Sequence, residues 1–165
     1  DETLFIIVAD HTASSAGKDE IEVKRYRVPL ILYAPSLIEP GTVLTQCSQI
    51  DVAPTVLALL GMSYDSLFFG RDILGMKPHE GRAYVGNYQK LGQLRQRKVA
   101  VLRPDASHSF YGCDLWAEGL QRSDEEWPVL LDDTTAAYQA AYLLFSNGLL
   151  KEDVVRSGVP PPADE

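Results

Sequence analysis

Thr3-Leu4-Phe5-Ile6-Ile7-Val8-Ala9-Asp10-His11-Thr12 is the stretch that decides how this chain reads. Leu4 to Ala9 is apolar without a break and β-branched at Ile6, Ile7 and Val8. That pattern predicts a strand buried on both faces, at the centre of a parallel sheet flanked by helices. The run ends at an acid followed directly by an imidazole. In open α/β sheets, chemistry collects where strands end at their carboxyl edge. Asp10 offers hard oxygen and His11 borderline nitrogen, a mixture suited to Zn²⁺ or Mn²⁺ ahead of Mg²⁺ or Ca²⁺. Neighbours in a strand point to opposite faces, so both side chains can meet one ion only if the chain turns there. Thr12-Ala13-Ser14-Ser15-Ala16-Gly17 is small and polar enough to allow the turn. The bland alternative is a loop Asp acting as a cap beside a solvent-facing His.

At 165 residues, 45% hydrophobic and 23% charged, the chain is long enough for one real core and has the composition of a globular domain. A net charge of −8 argues against a nucleic-acid-binding surface. Arg95-Gln96-Arg97-Lys98 is a basic run that reads as a solvated turn. No apolar run approaches the roughly 20 residues that cross a bilayer, and no signal peptide is evident. The chain enters a core strand at once, which leads us to expect a piece of something longer. Cys47 and Cys113 lack CxxC spacing, and free core thiols or one disulfide are both open readings.

Residues 12–27 read as an exposed polar excursion, followed by a second strand over 28–34, parallel to the one over 3–9. A helix near 51–60 follows, with Asp51 as N-cap, Pro54 in the first turn and Gly61 at C′. Val52, Val56 and Leu60, with Ala53 and Leu57, form the face expected to pack on the sheet. Asp51 invites assignment as a metal ligand, but the helix needs an acceptor there and capping is preferred. As a simple cap, Asp51→Asn would be nearly neutral and Asp51→Ala would cost about 1 kcal/mol. Phe68 to Leu74 reads as a loop anchored by two aromatics.

Residues 82–88 form a third strand, and 91–94 with 99–102 an antiparallel hairpin turning at Gln96-Arg97, without Asn-Gly or Asp-Gly. Residues 103–128 read as irregular, anchored by Trp116 and Trp127. A second helix runs from Asp132 or Asp133 to about Asn147, closed by Gly148, packing through Ala136, Ala137, Ala140, Ala141, Leu144 and Phe145. Residues 1–150 then form one unit, and 151–165 a proline-rich flexible tail. His79 reads as an exposed turn residue, and His108 as solvent-facing, with a substrate-facing role as its alternative. GxSxG, GxGxxG and P-loop motifs are missing, so serine-hydrolase and nucleotide-binding readings lack their signatures.

Taken in order, Phe5–Thr12, Arg27–Pro35, Ser48–Gly61 and Phe69-Gly70-Arg71 resemble the C-terminal part of one family's catalytic domain. That family is the lipoteichoic acid synthase (phosphoglycerol transferase) proteins, whose sulfatase-like domain belongs to the alkaline phosphatase superfamily. The motifs cover roughly residues 3–74. The resemblance implies an α/β fold: the C-terminal portion of a sulfatase-like domain, with parallel strands, packed helices and a small antiparallel element. It implies an extracytoplasmic location, in the periplasm or on the outer face of the cytoplasmic membrane, with transmembrane helices upstream. The implied reaction is metal-dependent transfer of phosphoglycerol, or a related phospho-alcohol, from a lipid-linked donor to a glycan or lipid acceptor.

Asp10 and His11 match the family's adjacent Asp-His pair, which binds the catalytic divalent ion. The family's Thr nucleophile and a further acidic ligand lie upstream of the matched part. No catalytic nucleophile and no organic-cofactor site is therefore expected here, and the chain alone is expected to be inactive. Its expected partner is the missing N-terminal half of the same domain, without which the strand Leu4–Val8 would favour self-association. Thr12 stands where many superfamily members carry Gly. Neither cysteine has the Cys-x-Pro/Ala-x-Arg setting of a sulfatase nucleophile. The alternatives are a sulfatase or phosphoethanolamine transferase of the same superfamily, or a degenerate non-catalytic glycan-binding or structural module.

Overall fold

The computed structural model describes residues 3–12, 20–114 and 119–150. The expected tail over 151–165 and Trp116 lie outside the described residues, as does most of the turn after Thr12. The α/β expectation holds: a two-stranded sheet, a five-stranded antiparallel sheet and two α-helices make up the described chain. Strands β1 (Phe5–Val8) and β2 (Leu30–Tyr33) pair with each other, with Phe5 opposite Tyr33 and Val8 opposite Leu30. That register is antiparallel and corrects the parallel pairing expected for this segment. Apolar continuity reports how much of a strand wants cover; it carries no information on strand direction.

Burial differs as well. Phe5 is 53% exposed and Ile7 59% exposed, and Ile6 and Val8 on the opposite face are open too. Four consecutive large apolar residues therefore meet solvent on both faces of a sheet with both edges unpaired among the described residues. Such a surface is one that folded chains normally cover.

The main core belongs to the second sheet, a meander of β3 (Ala83–Gly86), β4 (Leu91–Arg95), β5 (Lys98–Leu102), β6 (His108–Cys113) and β7 (Leu120–Ser123). The β4–β5 hairpin turns at Gln96 and Arg97, both at positive φ (49° and 63°), the backbone of a tight primed turn built without glycine. The basic run is thus a turn, and its arginines face Asp133 and Asp114. Strands β6 and β7 replace the irregular segment expected there. His108-Ser109-Phe110-Tyr111-Gly112-Cys113 mixes polar residues and a glycine into a strand buried mainly at Ser109, Phe110 and Cys113, so its apolar period is weak.

Central strand β5 is buried on both faces. Val99 and Val101 join Val85, Leu94 and Cys113 on one side. Ala100 joins Phe110 and Leu130 on the other. Ile21 and Val23 also enter the first cluster, so the excursion after Thr12 returns as core by residue 21. Both cysteines are free thiols, Cys113 in this core and Cys47 half-buried.

Helix α2 (Pro128–Ser146) lies across the second face, and Trp127 packs against Phe110 with the rings tilted and 5.5 Å between centroids. It starts before the expected Asp132 because Pro128 occupies the first turn, where a missing N–H is harmless. It closes at Gly148 with φ +66°, as expected. Its packed face is Leu130, Thr134 and Tyr138 with the half-buried Ala137, Ala141 and Leu144 of the expected stripe, while Ala136, Ala140 and Phe145 are exposed. The Tyr138 hydroxyl reaches the carbonyls of Val85 and Gly92, at 3.0 Å each.

The two sheets are fastened through the segment after Thr12. The Thr12 hydroxyl donates to the Arg25 carbonyl, and the Tyr26 hydroxyl donates to the Gly86 carbonyl at the end of β3. Glu20 carries the charged part of this fastening. Arg103 grips its carboxylate through Nε and Nη2 at 2.6 and 2.7 Å, Tyr111 donates to it, and Lys90 lies 3.3 Å away. Burial acts to raise the Glu20 pKa, but hydrogen bonds from Arg103, Tyr111 and Lys90 outweigh it and hold the group at about 2.

A depressed folded-state pKa contributes stability above the unfolded-state value of 4.5, and that stability is lost as pH falls through 4.5 toward 2. Denaturant titrations of wild type and Glu20→Gln should converge over that window. Allowing for solvent at its open side, the wild-type advantage at pH 7 is about 2 kcal/mol. Parallel pH profiles for the two proteins would contradict this role.

Candidate functional site

The polar end of β1 is held by the segment that opens helix α1 (Val52–Leu59), and that segment is built around Asp51. A single 3₁₀ turn, Gln49–Asp51, leads into α1. Asp51 is 0% exposed, so its charge must be met by protein donors. One oxygen accepts the Ser48 backbone N–H at 2.8 Å. The other accepts the Arg71 backbone N–H at 2.8 Å and both terminal nitrogens of Arg82 at 3.1 Å. Arg82, itself buried, also donates to the Phe69 carbonyl at 2.7 Å.

The Phe69-Gly70-Arg71 motif is explained by this lock. A Cβ on Gly70 would lie 1.8 Å from the Ile50 carbonyl oxygen, so only glycine lets the loop close around Asp51. Thr55 ties in the next turn, donating to the Asp51 carbonyl at 2.6 Å and accepting the Ile73 N–H at 2.9 Å. The Ser48 hydroxyl accepts the Tyr84 N–H at 2.9 Å and joins the assembly to β3.

Asp51 departs from the expected N-cap: its side chain makes no hydrogen bond to the N–H groups of α1, and its oxygens are engaged instead by Ser48, Arg71 and Arg82, which closes them to a metal. The expected packing face of α1 needs correcting: its buried residues are Pro54 and Thr55, and Leu60 is 51% exposed. The helix serves the loop over 69–73 more than the strand pair. Sequence reasoning missed Arg82. A lone cation opening an otherwise apolar strand was the available signal, since a buried guanidinium needs a carboxylate.

From the turn before Asp51, the Gln49 side-chain amide reaches back to the end of β1. Its nitrogen lies 2.6 Å from the Ala9 carbonyl and 2.9 Å from the Asp10 carbonyl. Beyond that point Asp10 and His11 project into solvent, with side chains 86% and 77% exposed. They come together: Asp10 Oδ2 and His11 Nε2 are 3.3 Å apart. The second Asp10 oxygen accepts the His11 backbone N–H at 2.9 Å. His11 Nδ1 sits 2.7 Å from the Thr12 carbonyl, a contact that places a proton on Nδ1. In the neutral ring, Nε2 is then a lone-pair atom beside a carboxylate oxygen, an arrangement that a proton, a water or a cation between them satisfies.

Two ligands bound at the lengths usual for zinc, with a tetrahedral angle between them, stand about 3.4 Å apart. The 3.3 Å separation fits that geometry. Among the described residues no group of three or more His, Cys, Asp or Glu side chains gathers to complete a metal centre. His79 is exposed on a short 3₁₀ turn. His108 is exposed at the start of β6, its ring 5.4 Å from Phe110. Both belong to the five-stranded-sheet side of the molecule rather than to this strand end.

The sulfatase family model matches residues 1–62, a span that contains Asp10, His11, Gln49 and Asp51. A solved protein of the alkaline phosphatase superfamily from Vibrio parahaemolyticus superposes with a TM-score of 0.83 at 26% identity. Residues 1–62 are thus sulfatase-like, and the chain carries the alkaline phosphatase superfamily fold. The superposition covers 90% of this chain and 36% of the Vibrio chain, so this chain spans about a third of that protein's length. No described helix is long and apolar enough to cross a membrane.

The geometry of Asp51 predicts more than a cap would. Asp51→Asn leaves Arg82 buried without its counter-charge, and Asp51→Ala does the same and adds a void. Urea denaturation should show losses of roughly 3–5 kcal/mol for both. A near-neutral Asn variant would return Asp51 to the role of a simple cap.

Proposed function

We propose that this chain supplies two ligands, Asp10 and His11, to the divalent-metal centre of an extracytoplasmic phosphotransferase of the alkaline phosphatase superfamily. The observation that carries the reading is the convergence of Asp10 Oδ2 and His11 Nε2 to 3.3 Å, with Nδ1 engaged by a backbone carbonyl. This is how ligating histidines are usually oriented, with the far ring nitrogen committed to an oxygen so that the near one is free. The sulfatase match over these residues and the shared fold support it. One oxygen donor and one nitrogen donor suit Zn²⁺ or Mn²⁺.

When bound, such an ion offsets charge on phosphoryl oxygens and lowers the pKa of a coordinated hydroxyl. The contribution of this chain is placement. Asp10 brings a negative oxygen to the strand end, and His11, held through Nδ1, presents Nε2 beside it. Thr12 accepts the imidazole proton through its carbonyl and anchors the loop to Arg25 through its hydroxyl.

The nucleophile and remaining ligands come from the rest of the same domain, whose strands and helices would cover the open faces of β1 and β2. The group transferred is phosphoglycerol or a related phospho-alcohol, taken from a lipid-linked donor to an envelope glycan or lipid.

Assay of the full-length protein on a phosphoglycerol-headgroup lipid, after chelation and readdition of Mn²⁺ or Zn²⁺, tests the reading. Activity should depend on the added ion, and Asp10→Ala and His11→Ala should each lower kcat/KM by at least 100-fold, about 3 kcal/mol of transition-state stabilisation. Full activity in either variant, or turnover of sulfate esters alone, would sink it.

A further inference from the structure

Successive carbonyls of an extended strand point to opposite sides, as successive side chains do. A single nitrogen cannot serve two of them. Gln49 Nε2 nevertheless lies 2.6 Å from the Ala9 carbonyl and 2.9 Å from the Asp10 carbonyl. The backbone has therefore left the pleat between Ala9 and Asp10, turning both carbonyls to one side. That rotation is what brings the side chains of Asp10 and His11, which a regular strand would send apart, to 3.3 Å.

The amide orientation is fixed by chemistry. Both neighbours are carbonyl oxygens, so the amide must present its NH₂, which carries one proton for each. Gln49 in turn is held from behind. Its neighbours Ser48 and Asp51 are bound to Arg71, Arg82 and β3 in the buried lock. An exposed side chain thus acts as a rigid strut between that lock and the strand end.

We infer that Gln49 is a positioning residue for the metal ligands. Its amide clamps the Ala9 and Asp10 carbonyls in the bend that converges Asp10 and His11 on one ion. The inference rests on the metal reading above and goes beyond it, since Gln49 itself touches neither ion nor substrate. Outer-shell partners of this kind typically alter metal affinity 10–100-fold when removed.

The test is Mn²⁺ affinity of the full-length protein, followed by loss of the free-ion EPR signal, for wild type, Gln49→Met, Gln49→Glu and Asp10→Ala. Met keeps the length of the side chain without a donor, and Glu places a carboxylate against two carbonyls. Because Gln49 is exposed, neither substitution should shift Tm by more than a few degrees. Both should weaken Mn²⁺ binding 10–100-fold, against a larger loss in Asp10→Ala. If Asp10→Ala loses binding while both Gln49 variants stay within twofold of wild type, the positioning role is overturned and the metal reading stands. If Asp10→Ala also binds Mn²⁺ normally, both fall.

Discussion

A carboxylate taken wholly out of water must be answered by donors on every side, and the Asp51–Arg82 pair is where this chain meets that demand. Leaving either charge alone in the interior would cost several kcal/mol. The four donating groups come from three separate stretches: the turn at Ser48, the loop at Arg71 and the start of β3 at Arg82. Satisfying one buried charge thus fixes the relative position of a helix start, a glycine-dependent loop and the edge of the main sheet. Packing at Gly70 then leaves that loop no alternative path.

The polar strand end is a consequence of the same lock. Gln49 leaves the locked turn and takes hold of two carbonyls at the end of β1, and the bend it holds presents Asp10 and His11 as neighbours. The Asp10–His11 pair is exposed and contributes little to stability, while Asp51 and Arg82 behind the exposed Gln49 are buried and contribute much. Substitutions at Asp51, Arg82 or Gly70 should therefore act on the site through the fold. Changes at Asp10 or His11 should act on chemistry and leave the fold intact.

The strand end was legible in the sequence because its signals are local: an unbroken apolar run, then two ligating residue types in succession. The tight hairpin at Gln96-Arg97 and the helix stops at Gly61 and Gly148 were legible for the same reason. Strand direction was not, because periodicity reports faces and not partners, and β1–β2 is antiparallel. Strands β6 and β7 escaped because Ser109, Gly112 and Gln121 dilute the alternation that marks a strand. The packed face of α2 was legible only in part, because Thr134 and Tyr138 pack through hydroxyls bonded to the sheet, which an apolar count passes over. The Asp51 lock was half visible. Asp51 stood out as a cap, but its partner lies 31 residues away and nothing local couples the two.

The central claim is that the Asp51 lock, through Gln49, holds Asp10 and His11 on a single divalent ion. Crystals of the full-length protein grown with Zn²⁺ and measured on both sides of the zinc absorption edge test it most directly. The account predicts an anomalous peak about 2.0–2.2 Å from an Asp10 carboxylate oxygen and from His11 Nε2. The Gln49 amide should still bridge the Ala9 and Asp10 carbonyls. Zinc bound without either ligand, or Asp10 and His11 directed to opposite faces of the strand, would contradict it.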